Sequence, residues 1–131
     1  MELKSVTIRN FKALQYIHLT DIPNFIVLVG ANGSGKSTLF DVFGFLRDAL
    51  MGNVRQALDA RGRFPEVVTR GHESDTILVE LQVRLPIAGR SRLVTYHLEV
   101  GLENGRPVVM REFSPVQTRQ LWRALLFPRL P

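Results

Sequence analysis

The chain has 131 residues, 45% hydrophobic and 22% charged, which suits one globular domain or part of one and excludes a disordered or fibrous chain. It has no cysteine, which excludes a disulfide framework and a Cys-based zinc site and fits a reducing, cytoplasmic setting. The net charge of +5 is uneven: residues 1–113 hold 14 Lys+Arg against 12 Asp+Glu, and the last 18 residues add Arg119, Arg123 and Arg129 with no acid, so the excess argues poorly for a nucleic-acid-binding face.

The opening MELKSVTIRNFK mixes charges with isolated apolar residues and does not read as a signal peptide. No run of about 18 apolar residues is present, so no membrane span is expected. Residues 2–9 alternate as a strand, with Val6 and Ile8 on one face and Ser5, Thr7 and Arg9 partly on the other. Asn10-Phe11-Lys12 breaks the run, and Gln15 to Leu19 resumes it, with Ile17 and Leu19 opposite Tyr16 and His18. Asp21 to Asn24 is turn chemistry, and the charge-free run Phe25–Val29 predicts a central strand covered on both faces.

Gly30-Ala-Asn-Gly-Ser-Gly-Lys-Ser37 follows at once and matches G-x-x-x-x-G-K-[ST] between a predicted strand and a predicted helix. Glycines at 30, 33 and 35 let the backbone turn tightly and approach a polyphosphate. Successive N–H groups, with the partial positive charge of a helix N-terminus, then surround the anion. In that motif Lys36 reaches the β- and γ-phosphates and the Ser37 hydroxyl sits on Mg²⁺.

The predicted helix runs from Lys36 to about Leu50, with a buried stripe of Leu39, Val42 or Phe43, Leu46 and Leu50 and with Arg47 and Asp48 facing water. Gly44 costs such a helix about 1 kcal/mol against Ala, which predicts close packing there. A shorter helix is expected over Val54–Ala60, ending at Gly62, and a loop over Phe64–Asp75. Ile77, Val79, Leu81, Val83 and Leu85 then alternate with Leu78, Glu80, Gln82 and Arg84. Strands at Leu93–Gly101 and Pro107–Phe113, with turns at Pro86–Ser91 and Glu103-Asn104-Gly105, complete an antiparallel meander over 76–113. The tail 114–131 has three prolines and one short amphipathic stretch, Leu121-Trp122 with Leu125-Leu126, and reads as poorly packed or non-native.

A GTPase is disfavoured: Asp41-Val-Phe-Gly44 and Asp59-Ala-Arg-Gly62 fit D-x-x-G only inside helical patterns, and there is no N-K-x-D. The opening strand ending in Asn10-Phe11-Lys12, the second strand before the glycine loop, and Gly30-x-Asn32-Gly33-Ser34-Gly35-Lys36-Ser37-Thr38 together resemble the N-terminal lobe of ABC-type ATPases. The resemblance is to heads of the RecF and structural-maintenance-of-chromosomes (SMC) kind and the related "AAA family ATPases" of DNA repair and phage defence. It covers about residues 1–113. It implies an α/β P-loop NTPase lobe with an antiparallel β-meander subdomain. Such heads bind ATP·Mg²⁺, dimerise head to head around two nucleotides, and in many cases act on DNA; no membrane partner is implied.

By that resemblance Gly30, Gly33, Ser34, Gly35, Lys36, Ser37 and Thr38 wrap the phosphates, Asn32 shapes the loop, and Ser37 reaches the metal through the nucleotide. Lys12 or Arg9 lies near enough to approach the nucleotide, with a solvated surface charge as the plainer reading. Hydrolysis in such heads needs an apolar strand ending in Asp-Glu and a Leu-Ser-Gly-Gly segment, and neither occurs in the sequence. Glu80 reads as solvent-facing on its strand rather than as that acid, and neither Gln82 nor Gln117 is placed as the Mg²⁺-sensing glutamine.

The expectation is therefore an incomplete, truncated ATPase head over 1–113 with no identifiable catalytic residue. Two alternatives stay open: a non-catalytic nucleotide-binding or interaction fragment, and a basic nucleic-acid-binding protein using Arg61, Arg63 and Arg70, or Arg84, Arg90 and Arg92. His18, His72 and His97 show no metal-ligand spacing.

Overall fold

The computed structural model describes the backbone of residues 2–20 and 36–114 and the side chains of 3–20 and 40–114. The expected turn at 21–24, the strand at 25–29, the glycine loop up to Gly35 and the tail from Pro115 lie outside the described residues. Among the described residues, five strands form one antiparallel sheet: β1 (Glu2–Phe11), β2 (Leu14–Thr20), β3 (Ile77–Ile87), β4 (Arg90–Glu103) and β5 (Arg106–Phe113), in the order β2-β1-β3-β4-β5. Among the described residues, three helices come between β2 and β3: α1 (Lys36–Met51), α2 (Val54–Asp59) and the single turn α3 (Phe64–Val67).

The expected meander is present, but it is not a separate unit. β3 pairs with β1, placing Ile8 against Val79 and Val6 against Leu81, so the opening hairpin and the meander share one sheet. Side-chain alternation on this sheet sends Val6, Ile8, Ile77, Val79, Leu81, Val83, Val94, Tyr96, Leu98 and Val100 to one face, where all are buried. Val42, Phe45 and Leu46 of α1, Ala57 and Leu58 of α2, and Phe64 and Val67 of α3 complete the same core. No helix among the described residues is long and apolar enough to cross a membrane.

The turns follow their sequence signals. Asn104 and Gly105 both have positive φ, as a two-residue type I′ hairpin requires. Ala88 and Gly89 do the same between β3 and β4, so the expected turn over Pro86–Ser91 shrinks to these two residues and the flanking strands lengthen.

Three expectations need correction. Phe64–Asp75 is not a plain loop: Pro65 starts the turn of α3, whose Phe64 and Val67 are buried, and Val68 bridges to Phe11. The α1 stripe includes Phe45, fully buried 5.7 Å from the Phe11 ring, while Phe43 and Leu50 only border the core. Asp48 does not simply face water. It accepts a hydrogen bond from Arg61 Nη1 at 2.9 Å, and the same Nη1 donates to the Ala57 carbonyl.

Arg61 also explains Gly44. A Cβ there would lie 3.1 Å from Arg61 Nη2, and the guanidinium sits 5.9 Å from the Phe45 ring centroid. Arg61 is therefore tied into the α1–α2 junction and does not form a patch with Arg63 and Arg70.

Burial opposes ionisation of Asp48, but the hydrogen bonds and charges of Arg61 and Arg47 prevail and hold its carboxyl below the ordinary range. A folded-state pKa below the unfolded value of about 3.9 stabilises the fold above that pH. The contribution is lost as pH falls through the lowered folded value. The Asp48→Asn variant should thus lose at most about 1 kcal/mol at neutral pH, since the pair is partly solvated. Its urea midpoint should converge with that of the wild type under acid conditions. A constant gap from neutral to acid pH would show that the ionised pair contributes nothing.

Candidate functional site

The residue that opens the predicted phosphate cradle's helix also opens α1: Lys36 is its first residue. A helix N-terminus leaves its first N–H groups without intrahelical carbonyl partners and carries partial positive charge. The first turn of α1 contains no acidic side chain to neutralise it. Phe45 anchors this helix to β1 through Phe11, which brings the end of β1 alongside the first turns of α1.

That end has an unusual backbone. Asn10 and Lys12 flank Phe11 with φ of 59° and 48°, a left-handed conformation that Asn tolerates and Lys adopts less often. The reason is visible in the hydrogen bonds. Asn10 Nδ2 donates to the Thr76 carbonyl at 3.0 Å, the Thr69 N–H donates to the Asn10 carbonyl at 3.2 Å, and the Lys12 N–H donates to the Val67 carbonyl at 2.6 Å. These bonds fix Asn10–Lys12 against the segment after α3. Lys12 Nζ then donates to Asp41 Oδ2 of α1 at 3.0 Å.

Beside this pair lies a cleft of about 690 Å³ lined by residues that include Lys12, Glu66, Thr69, Arg70 and Glu73. Thr69 Oγ1 is buried and has no hydrogen-bond partner among the described residues. A buried hydroxyl without a partner is costly. The backbone N–H of Gly71 holds the exposed Glu73 carboxyl below its ordinary range.

Arg9 occupies a different place from Lys12. It projects from the opposite face of β1, 5.7 Å over the Tyr16 ring, and borders a second concavity with Gln15, His72 and Asp75. In that concavity His72 is held between Asp75 Oδ2 and Gln15 Nε2, each at 3.0 Å. Of the two residues expected to approach a nucleotide, Lys12 lies beside α1 and Arg9 does not. Arg84, Arg90 and Arg92 sit exposed at the far end of the β3–β4 hairpin.

Glu80 also departs from expectation. It is directly opposite His97 in the sheet, and its Oε2 lies 2.9 Å from His97 Nδ1. Glu99 Oε1 is 2.9 Å from the other ring nitrogen, and Phe113 stacks on the ring at 5.1 Å. The cross-strand register brings Glu80 and Glu99 to one buried imidazole, so Glu80 helps lock β3 to β4. Its two contacts point apart, and no group of three or more His, Asp or Glu among the described residues converges as a metal site.

Of the predicted cradle residues, Gly30, Asn32, Gly33, Ser34 and Gly35 lie outside the described residues, and Lys36, Ser37 and Thr38 form the first turn of α1. Asp41, Thr69 and the role of Arg70 at the cleft escaped the sequence reading. The only available signal was Asn10-Phe11-Lys12, whose interruption of the strand marks the bend that the 67–69 segment stabilises.

Comparison with known proteins agrees with the coarse reading. A 39-residue stretch is 46% identical to an uncharacterized protein of Methanocaldococcus jannaschii, MJECL44, covering 30% of this chain and 12% of that protein. The chain thus spans only about an eighth of this relative's length. The sequence model of the AAA ATPase domain matches residues 1–79, more than half of the 131. The chain belongs to the AAA ATPase domain family.

Proposed function

We propose that this chain binds ATP·Mg²⁺ through the loop 30–38, as the N-terminal nucleotide-binding lobe of an ATPase of the RecF and SMC kind. One observation carries the reading: Lys36, Ser37 and Thr38 of the G-x-x-x-x-G-K-S motif are helical and belong to α1. Two further features suit the ligand. The first helical turn is free of acids, and the cleft beside the Lys12–Asp41 pair presents Lys12 and Arg70. Glu66 and Glu73 also border the cleft.

In this role Gly33, Ser34 and Gly35 supply backbone N–H groups, Lys36 the charge on the β- and γ-phosphates, and Ser37 a hydroxyl on Mg²⁺. Ser37 would hold Mg²⁺ through the nucleotide, and the metal would supply neutralisation of phosphate charge. An apolar strand ending in Asp-Glu and a Leu-Ser-Gly-Gly segment are absent from the 131 residues, so turnover would depend on groups supplied from elsewhere. A head-to-head pairing with a complete ATPase, a DNA-repair or defence setting and a cytoplasmic location belong to the same proposal. A fragment that binds ATP without hydrolysing it is the second reading, favoured by the same absence.

The test is equilibrium binding of ATP to the chain with Mg²⁺ and with excess chelator, together with phosphate release over many turnovers. Binding that requires Mg²⁺, without sustained release, is expected. No binding in either condition ends the nucleotide reading, and sustained release shows that the chain carries its own catalytic base.

A further inference from the structure

Among the described residues His97 is the only buried histidine, and both of its ring nitrogens are in use. Its side chain is 8% exposed, with Nδ1 2.9 Å from Glu80 Oε2 and Nε2 2.9 Å from Glu99 Oε1. A neutral imidazole has one N–H and one bare lone pair, so one carboxylate would then face a lone pair at that distance. A ring with a proton on each nitrogen donates to both. The geometry is that of an imidazolium between two carboxylates, with a charge-assisted hydrogen bond on either side.

The same ring carries the end of β5. Phe113, the last residue of β5, is opposite His97 in register, and the two rings lie parallel, 3° apart with centroids 5.1 Å from each other. Phe113 is 47% exposed, and β5 is an edge strand with β4 as its one neighbour in the described sheet. A cationic ring is attracted to the face of Phe113, and a neutral ring is attracted less. On the core-side face the Tyr96 hydroxyl donates to Glu112 at 3.2 Å, and burial, with the Glu112 charge, pushes its ionisation up. That second tether does not depend on the proton of His97. Of the other groups around the cluster, Arg111 of β5 is in register with Glu99, and Thr7 of β1 is in register with Glu80. Thr7 Oγ1 in turn lies 2.7 Å from Nδ1 of His18 on β2.

We propose that Glu80, His97 and Glu99 form a proton-held latch on the end of β5, closed while His97 carries both ring protons and open once it loses one. The latch stands independently of the nucleotide reading. Its sign follows from counting protons. In the fold the cluster keeps both protons, whereas a histidine in the unfolded chain gives one up above about pH 6.5. The folded state then binds more protons than the unfolded state, so stability falls as the pH rises. Below that pH both states are protonated, and the contribution of the latch is fully present. One proton of difference changes the folding equilibrium constant by at most about tenfold per pH unit.

The experiment follows the 131-residue chain, Glu80→Gln and His97→Gln between about pH 6 and about pH 9 by imidazole ¹⁵N NMR and urea unfolding. Amide exchange at Phe113, corrected for its intrinsic pH dependence, reads the strand end, with Arg106 at the other end of β5 as reference. The His97 signal is the one absent from His97→Gln, and at neutral pH it should show protons on both nitrogens. Across the range the folding equilibrium constant of the wild type should fall about tenfold more than that of His97→Gln, with exchange at Phe113 rising in parallel. A glutamine amide can donate to a bare ring nitrogen, so Glu80→Gln should lose most of this excess.

A singly protonated His97 at neutral pH overturns the latch. Equal pH dependence in wild type and His97→Gln overturns it as well. A fall in stability without faster exchange at Phe113 means that the cluster does not hold β5, and the latch is again wrong. Should His97→Gln not fold, Glu80→Gln takes its place, identifying the ring by the signal it shifts, and the protonation of the wild-type ring remains decisive.

Discussion

Lys36→Ala is expected to weaken ATP·Mg²⁺ binding by at least about a hundredfold while leaving the thermal melt of the chain nearly unchanged. The two halves of this expectation come from different levels of structure. Lys36 is the first residue of α1, and alanine is at least as good a helix former as lysine, so the helix should start as before. The core under α1 is built from Val42, Phe45 and Leu46, one to three turns further on. The phosphates, by contrast, would lose the one cation that the motif places directly on them. Removing one member of a hydrogen-bonded charge pair costs about 2–5 kcal/mol, and a factor of a hundred corresponds to about 2.7 kcal/mol. Isothermal titration calorimetry on both proteins reads the first half, and circular dichroism the second. Equal affinity for the two proteins would place the nucleotide, if any is bound, somewhere other than the N-terminus of α1.

The elements legible in the sequence were those whose signal is local. β3 alternates without a break from Ile77 to Leu85, and every predicted inward residue is buried. Asn104-Gly105 announced its turn because few other dipeptides adopt two consecutive positive φ values without strain. Pairing between distant strands has no such signal. The docking of β3 on β1 depends on matching two hydrophobic faces across about 70 residues, which a single sequence does not specify.

The site divides in the same way. The cradle motif is local in sequence, but its residues 30–35 lie outside the described ones. The partners of Lys12 and Arg61 are set by how α1, α2 and the 67–69 segment meet, and they were missed. Arg61 is instructive. In sequence it belongs to a cluster with Arg63 and Arg70 that suggests an anion-binding surface, yet in the fold it is committed to Asp48, the Ala57 carbonyl and the space left by Gly44. His97 shows the converse. Read alone it carried no spacing signal, and only the cross-strand register brings Glu80 and Glu99 to its two nitrogens.

Phe45→Ala should be the most damaging single truncation in α1, costing about 3–5 kcal/mol of stability. Small domains have only about 5–15 kcal/mol in total, so such a loss leaves a large unfolded fraction. The site cannot collapse easily around the missing ring. On the sheet side Phe11 lies 5.7 Å away, held by the bonded backbone of Asn10 and Lys12, and above the ring Arg61 is fixed by Asp48 and Ala57. A cavity between two immobilised neighbours retains most of its cost. Phe40, on the same helix but 48% exposed, provides the contrast: Phe40→Ala should change stability by no more than about 0.5 kcal/mol. Urea unfolding of the two variants compares them directly, and similar losses would mean that α1 packs on a different face. A consequence for function follows from the shared helix. Phe45 anchors α1 to β1, and α1 carries Lys36, so Phe45→Leu, which keeps the fold but loosens the contact, should weaken ATP binding although Phe45 is fully buried in the core.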